Sequence, residues 1–318
     1  MVLNLKMENQ KIELSEILVG VKRSKVEWDM RKYNIQNLEN LIEKYKSEDI
    51  PEHDKEKVDI QDILDSHYRQ KEFRRVLINS GIEKNNILWA EDITKNIAKK
   101  KRVIMAAGGD WAVEIVSHKL NDKNLFITVN ADYKSSVGAN TYYDIRNIKE
   151  ALKKIKSGDY WIEEWIGLDV KRNGRRVQRA TQIVFIGERI RDDMSKQYVE
   201  FKGIKEKFTG SGIIITTPSG STGWYNSVYY FHHHRSGAIP KTEKYAKFIM
   251  TEPYPAGRKY KLGEGELRKG EEMIFTSLND KIGEISIDSI RHYQFNRGTV
   301  AKVRISDAAL KVIRTNKL

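Results

Sequence analysis

Residues 106–112 read Ala106-Ala107-Gly108-Gly109-Asp110-Trp111-Ala112, and this stretch decides the fold class. It follows a short apolar run, Val103, Ile104 and Met105, which itself follows a basic cluster from Lys99 to Arg102. An apolar run that breaks into paired glycines and an acid reads as a buried strand ending in a tight turn. The glycines lack a Cβ, so a phosphate or ribose can approach the backbone closely. Asp110, carried at that turn, is a carboxylate able to take a proton from an attacking hydroxyl. The alternative is a plain strand-to-helix corner with Asp110 capping the helix. A second glycine-rich segment favours the site: Thr216-Thr217-Pro218-Ser219-Gly220-Ser221-Thr222-Gly223-Trp224.

Working outward, strands and helices alternate around the first turn. Ile17 to Val21 reads as a strand, and Tyr33 to Lys46 as a helix with Leu38, Leu41, Ile42 and Tyr45 at helical spacing. The charged stretch Glu48 to Val58, with Pro51, reads as a loop, and Ile60 to Ser80 as a helix. A short strand is expected at Asn86 to Ala90, a helix at Ala112 to Leu120, a strand at Leu125 to Val129 and a closing helix at Ile148 to Lys156. That alternation predicts a parallel sheet covered on both faces. From Tyr160 the pattern turns to strands: Tyr160 to Val170, a hairpin over Lys171 to Arg176, and Val177 to Ile186. Further strands are expected at Tyr198 to Phe201, Gly212 to Thr216, Met273 to Leu278, Glu284 to Ile287 and Val300 to Ile305, with a helix near Tyr225 to His234. The expected layout is a polar lead-in over 1–16, an α/β nucleotide-binding domain over 17–157 and a β-rich domain over 158–318. The C-terminal end is expected to return toward the first domain, and ligands are expected in a cleft between domains.

Composition narrows the function classes. The 318 residues carry a net charge of +13, with a pI near 9.5 and a mean hydropathy of −0.61. That charge suits an anionic partner. The lysines are interleaved with glutamates, as over Glu43 to Glu48, and no nucleic-acid-binding signature is present, so nucleotides are favoured over nucleic acid. There is no cysteine, which excludes disulfides, thiolate metal sites and thiol nucleophiles. No apolar run is long enough to span a bilayer, and Met1 to Gln10 lacks the apolar core of a secretory signal. The cytoplasm is the expected compartment. His232-His233-His234 diverge around a helix by about 100° per residue, so they read as a solvated helix end, and no protein metal site is expected.

The two glycine-rich segments resemble the signatures of the NAD kinase family, a Gly-Gly-Asp-Gly turn and a Thr-Pro-x-Gly-Ser-Thr loop. The likeness runs along nearly the whole chain and looks closest to the mitochondrial-type branch. Val21-Lys22-Arg23-Ser24-Lys25-Val26-Glu27-Trp28 resembles that branch's opening strand and basic turn. Val129-Asn130-Ala131-Asp132 with Ser135 and Ser136, Val184 to Glu188, Ile287-Asp288 and Phe295 to Gly298 resemble later family segments. Three positions depart from the pattern: Trp111 replaces the turn's fourth glycine, Gln182-Ile183 stands where the family has Asn-Glu, and Ser289 replaces the glycine after Asp288.

The resemblance implies an NAD kinase and diacylglycerol kinase-like fold. It implies that ATP, carried with Mg²⁺, phosphorylates the 2′-hydroxyl of the adenosine ribose of NAD. Asp110 matches the catalytic aspartate, and a homodimer is implied. Gly108 and Gly109 supply the close approach that phosphoryl transfer needs. Trp111 either packs under the helix or fills part of the phosphate-donor site. Asn130 and Asp132 can fork to ribose hydroxyls or a nicotinamide, or form an Asx-turn. Gln182 lies at the nucleotide-binding position of the altered pair. Thr217, Ser219, Ser221 and Thr222 around Gly220 offer hydroxyls to adenosine or phosphate, or make a plain Ser/Thr turn. Trp224 occupies the aromatic position beside the base. The alternatives are a binding module of the same fold that has lost turnover, or a kinase for a related nucleotide.

Overall fold

The computed structural model describes residues 10–47, 59–190, 193–255, 259–280 and 282–315. The expected loop Glu48 to Val58 and residues 1–9 of the expected lead-in lie outside them. The chain divides into two compact units, one running through Ile162 and resuming at Ile313, the other spanning Glu163–Val312.

The first unit contains, in order, β1 (Ile17–Val21), α1 (Lys25–Lys32), α2 (Leu38–Lys46), α3 (Ile60–Asn79), β2 (Ile87–Trp89), α4 (Lys95–Ala98), β3 (Val103–Gly108), α5 (Asp110–Ser117), β4 (Leu125–Asn130), β5 (Tyr143–Asp144), α6 (Ile148–Ser157) and the start of β6 (Trp161–Trp165). The sheet runs β2-β1-β3-β4, then the chain's last strand Leu310–Arg314, then β6, with β5 beside β4. β1 pairs in parallel with β2 and β3, and β3 with β4, in the register Val19↔Met105 and Met105↔Ile127. Every residue of β1 and β3 is buried, as a parallel sheet covered on both faces requires. Phe73 and Leu77 of α3 and Ile148, Ala151, Leu152 and Ile155 of α6 join Val19, Met105 and Ile127 in one apolar cluster.

Helical spacing over 33–46 misplaces one boundary. Asn34 adopts φ 54°, a left-handed conformation that ends α1. Asn37 then caps α2 by accepting a hydrogen bond from the Asn40 amide. The two asparagines outrank the apolar periodicity, so the expected helix begins at Leu38 rather than Tyr33, and a separate helix, α1, precedes it. α5 also starts earlier than expected, at Asp110 rather than Ala112, and stops at Ser117.

The second unit is built from two six-stranded antiparallel sheets. One contains β7 (Leu168–Arg172), β8 (Arg175–Arg176), β10 (Ser195–Phe201), β11 (Ile204–Gly210), β15 (Glu272–Ser277) and β18 (Val300–Ile305). The other contains β9 (Ile183–Glu188), β12 (Gly212–Thr216), β13 (Ala246–Thr251), β14 (Glu264–Leu267), β16 (Gly283–Ile287) and β17 (Arg291–Gln294). β10, β15, β16 and β18 alternate between buried and more exposed positions, the period-two pattern of a sheet with one covered face. Their inward residues share a core with Ile213, Ile215, Phe248 and Met250. β12 is buried throughout because its other face, through Ile214, packs under α7 (Trp224–His233) with Phe185, Tyr225 and Ile249.

Of two expected strands here, one divides and the other starts late. Tyr160 to Val170 becomes β6 and β7, which lie in different sheets with Gly167 between them. The return strand expected from Val177 begins only at Ile183. The backbone amides of Thr181, Gln182 and Ile183 instead donate to the Asp288 carboxylate. The hairpin at Lys171 to Arg176 is present, turning through Asn173 and Gly174 at φ 48° and 78°. No helix of the described residues is long and apolar enough to cross a membrane.

Candidate functional site

The connection after β1 leads toward β2 on one side, whereas the connection after β3 leads toward β4 on the other. The carboxyl ends of β1 and β3 therefore flank a topological switch point, where open parallel sheets bind ligands. Lys22 follows β1, and Gly109, Asp110 and Trp111 follow β3. The Lys22 amide donates to the Ala107 carbonyl at 2.8 Å, and its ammonium lies 6.0 Å from the centroid of the Trp111 ring. Gly109 is the N-cap of α5 and brings no capping side chain. The start of α5 thus offers amide donors and the positive end of the helix dipole beside a lysine.

The geometry revises three readings of this turn. A Cβ on Gly108 would stand 2.6 Å from the Ala112 Cβ and 2.9 Å from that of Lys22, and one on Gly109 would strike Ser136 Oγ. The missing side chains therefore let the chain pack against itself. Asp110 is the first residue of α5, and its Oδ1 and Oδ2 accept from the amides of Asn140 at 2.7 Å and Ala139 at 3.1 Å. A carboxylate has about four lone-pair positions, so each oxygen keeps capacity for a substrate hydroxyl. Trp111 is half-buried, so it is not the fully buried helix-start aromatic that packing under the helix would make it.

Asn130 and Asp132 organise the loop after β4. Asn130 Oδ1 accepts from the Asp132 amide at 3.1 Å, an Asx-turn, while its Nδ2 donates to the Ser136 carbonyl at 2.8 Å. The Asp132 carboxylate accepts from Arg69 Nε at 2.6 Å and from Ser66 Oγ at 2.5 Å. Burial pushes this carboxyl up, but the bonds from Arg69, Ser66 and Ser135 outweigh it and hold the group below the usual range. Both side chains are buried, Asn130 bonded within its own loop and the Asp132 carboxylate to α3. Arg69 and Ser66 had no sequence signal, since α3 lies more than sixty residues earlier.

In the second unit the loop hydroxyls turn inward. Thr217 Oγ1 and Ser219 Oγ each donate to the Thr181 carbonyl at 2.8 Å, and Ser221 Oγ donates to Pro218 and accepts from the Ile239 amide. All three residues are buried, so their hydroxyls are spent on holding the loop. Gly220 is required by close approach, because a Cβ there would strike the Gln182 carbonyl. Gln182 itself is buried, its backbone amide held by Asp288 at 2.9 Å. Thr222 and Gly223 remain exposed at the start of α7. Ser289 stands at φ 51°, the left-handed region that favours glycine, next to Asp288.

Beside that loop lies a cavity of about 510 Å³. Phe185, Trp224, Val228 and Phe231 form its apolar side, with Glu188, Glu252 and Glu284 among its polar residues. The Trp224 and Phe185 rings lie 5.0 Å apart at 43°, so the indole presents a fixed face for stacking. At the triple-histidine helix end His232 and His234 are exposed, as expected, while His233 is partly buried: its Nε2 pairs with Glu264 at 2.7 Å and its ring lies 4.2 Å from that of Tyr229. Among the described residues no cluster of histidines and acids has metal-binding geometry.

Glu188 is a residue that sequence reading passes over, because it looks like the end of an apolar strand. It is 7% exposed, and its Oε2 has no partner among the described residues. Burial, with Asp193 adding repulsion, pushes its carboxyl up to about 7. The folded protein therefore keeps a proton here that the unfolded chain releases at the ordinary carboxyl pKa, so this group destabilises the fold progressively as pH rises from about 4.5 to about 7. Glu188→Gln removes that penalty. Its stability gain should be near zero at about pH 4 and reach about 1–3 kcal/mol above about pH 7. Melting temperatures of both proteins across that range check it; a gain that does not grow with pH refutes it.

No family model matches the chain. It is 29% identical to the NAD kinase of Methanosphaera stadtmanae over 134 residues, 42% of this chain and 46% of that protein. It is 23% identical to the NAD kinase of Fusobacterium nucleatum over 225 residues, 69% of this chain and 78% of that one. The chain thus spans a little under half the length of the first of these relatives. Two solved structures share the fold. The Archaeoglobus fulgidus NAD kinase in complex with ATP superimposes with a TM-score of 0.61 at 16% identity, covering 78% of this chain and 90% of the other. The yeast NADH kinase complexed with NADH gives 0.59 at 13%, covering 74% and 68%.

Proposed function

We propose that this chain, a relative of the NAD kinases in sequence and in fold, is an NAD kinase-like phosphotransferase in which ATP phosphorylates the 2′-hydroxyl of the adenosine ribose of NAD. One observation carries the reading: Asp110 opens α5 at the switch point of the parallel sheet, where the N-cap Gly109 brings no side chain and Lys22 lies over the adjoining Trp111 ring. Phosphoryl transfer is mostly positioning and charge neutralisation. The α5 amides and Lys22 supply donors and positive charge for polyphosphate. Asp110, with its lone pairs only partly used, takes the proton of the attacking hydroxyl. The Mg²⁺ that such a reaction uses arrives on the ATP phosphates with few protein ligands. Trp224 offers the face on which a base stacks. Incubating the protein with ATP, magnesium and NAD, then reading NADP with an NADP-specific dehydrogenase, tests the proposal directly.

Trp111 and the Gln182-Ile183 pair favour a second reading, a dinucleotide-binding module without turnover. Ile183 puts an apolar side chain against the cluster under α7, where the family pattern has an acid. Calorimetric binding of NAD with no NADP formed decides for the module, and NADP formation decides against it.

Trp111→Gly separates the two. Because the indole is only half-buried, its loss should cost about 1–2 kcal/mol, well below the 3–5 kcal/mol typical of a buried large aromatic. If the ring obstructs the donor site, NADP formation per folded molecule should rise. Melting temperature and turnover on the same preparation check this. A large stability loss with unchanged turnover would show the indole to be structural.

A further inference from the structure

Asn130 lies beside Gly108 in the parallel pairing of β3 and β4, so the loop after β4 starts next to the turn that carries Asp110. Alternation along the strands sends Met105, Ala107, Ile127 and Val129 into one apolar cluster. It turns Asn130 the other way, to the face on which Gly108 meets Ala112 of α5. There Asn130 is 5% exposed, its Oδ1 taking the Asp132 amide and its Nδ2 donating to the Ser136 carbonyl at 2.8 Å. The loop then folds over the turn. Ser136 packs on Gly109, and Gly138 bends the chain at φ 58°. A Cβ on Gly138 would stand 2.5 Å from both Asn130 Nδ2 and Thr141 Oγ1, so these two side chains bracket the bend. Thr141 also donates twice to the Gly138 carbonyl, through its amide at 2.9 Å and its hydroxyl at 2.7 Å.

The bend delivers the amides of Ala139 and Asn140, one to each oxygen of Asp110. A carboxylate gripped at both oxygens keeps a fixed plane, and its remaining lone pairs keep a fixed direction. Reaction rates are sensitive to such placement, since a shift of about 1 Å can cost about a hundredfold. We propose that Asn130 is a positioning residue for the phosphoryl transfer. By holding the loop at Ser136 and Gly138, it sets the two backbone N–H groups that aim the Asp110 carboxylate at the attacking hydroxyl. The assignment rests on the reading of Asp110 as the base and adds to it the residue that orients that base.

Steady-state kinetics and hydrogen exchange on the full chain test it with Asn130→Asp. This near-isosteric change keeps an acceptor for the Asp132 amide but sets an oxygen against the Ser136 carbonyl. The kcat for NADP formation, per folded molecule, should fall about ten- to a hundredfold, while KM for NAD and for ATP stays within about threefold. In an Asp110→Asn background the same substitution should change the residual turnover by less than about twofold, because no base is left to aim. An unchanged kcat, equal losses in both backgrounds, or a loss carried by KM overturns the assignment. If Asn130→Asp does not fold, Thr141→Val is the milder variant; it removes one of the two bonds to the Gly138 carbonyl and should lower kcat in the same pattern. If the wild type forms no NADP, the phosphotransferase reading fails, and exchange at the Ala139 and Asn140 amides judges the clamp alone. Both amides should exchange about tenfold or more faster in the variant than in the wild type. Unchanged exchange refutes the role given to Asn130.

Discussion

Asp288→Ala should lower stability by about 3–5 kcal/mol, the largest single loss expected in the β-rich unit. Asp288 is 1% exposed, and its carboxylate accepts at least four hydrogen bonds. Thr181 donates twice to Oδ2, through its amide at 2.7 Å and its hydroxyl at 2.9 Å. The amides of Gln182 and Ile183 donate to Oδ1 at 2.9 and 2.7 Å. Removing the acceptor leaves three buried amides and a hydroxyl short of partners, each worth about 1–3 kcal/mol before relaxation. Alanine also tolerates the φ of 49° at this position less well than aspartate does. The Thr181 and Gln182 carbonyls hold Thr217 and Ser219, so the loop around Gly220 should loosen as well. Asp288→Asn retains one oxygen and should lose roughly half as much. Chemical denaturation measures both changes, and a loss below about 1 kcal/mol in the alanine variant contradicts the account.

Asp110→Asn should reduce NADP formation by two or more orders of magnitude while leaving the fold almost unchanged. The first effect is the usual weight of a general base in proton transfer. The second follows from geometry, since an asparagine oxygen can still accept from the Asn140 amide now held at 2.7 Å. Asp110→Ala removes both acceptors and frees the backbone at Ala139 and Asn140, so it should lose stability as well as turnover. Comparing turnover with thermal stability in the two variants separates chemistry from loop support. If the asparagine variant keeps its activity, Asp110 only ties the loop to the start of α5, and the base lies elsewhere.

The fold was legible where the chain signals locally. The run Val103 to Gly109 marks a buried parallel strand and its turn, because only a strand covered on both faces is apolar at every position. Asn173-Gly174 marks its hairpin because that pair reaches positive φ at little energetic expense. The long helix Ile60–Asn79 follows from apolar spacing alone. Local signals failed where a short polar side chain took over the backbone. Asn34 and Asn37 delayed the start of the helix expected over 33–46 to Leu38, and Asp288 drew the amides of 181–183 away from strand pairing.

Sequence by itself determined the class of each half, the positions of the two glycine-rich turns and the likeness to the NAD kinases. Tertiary structure decided what most of the polar side chains are used for, because a partner tens of residues away leaves no trace in local pattern. It directed Thr217, Ser219 and Ser221 inward, tied the Asp132 carboxylate to Arg69 and Ser66 of α3, and placed Lys22 beside Trp111. It also buried Glu188, whose single letter at a strand end says nothing about solvent. Burial belongs to the packed chain, and with it the upward shift of that carboxyl.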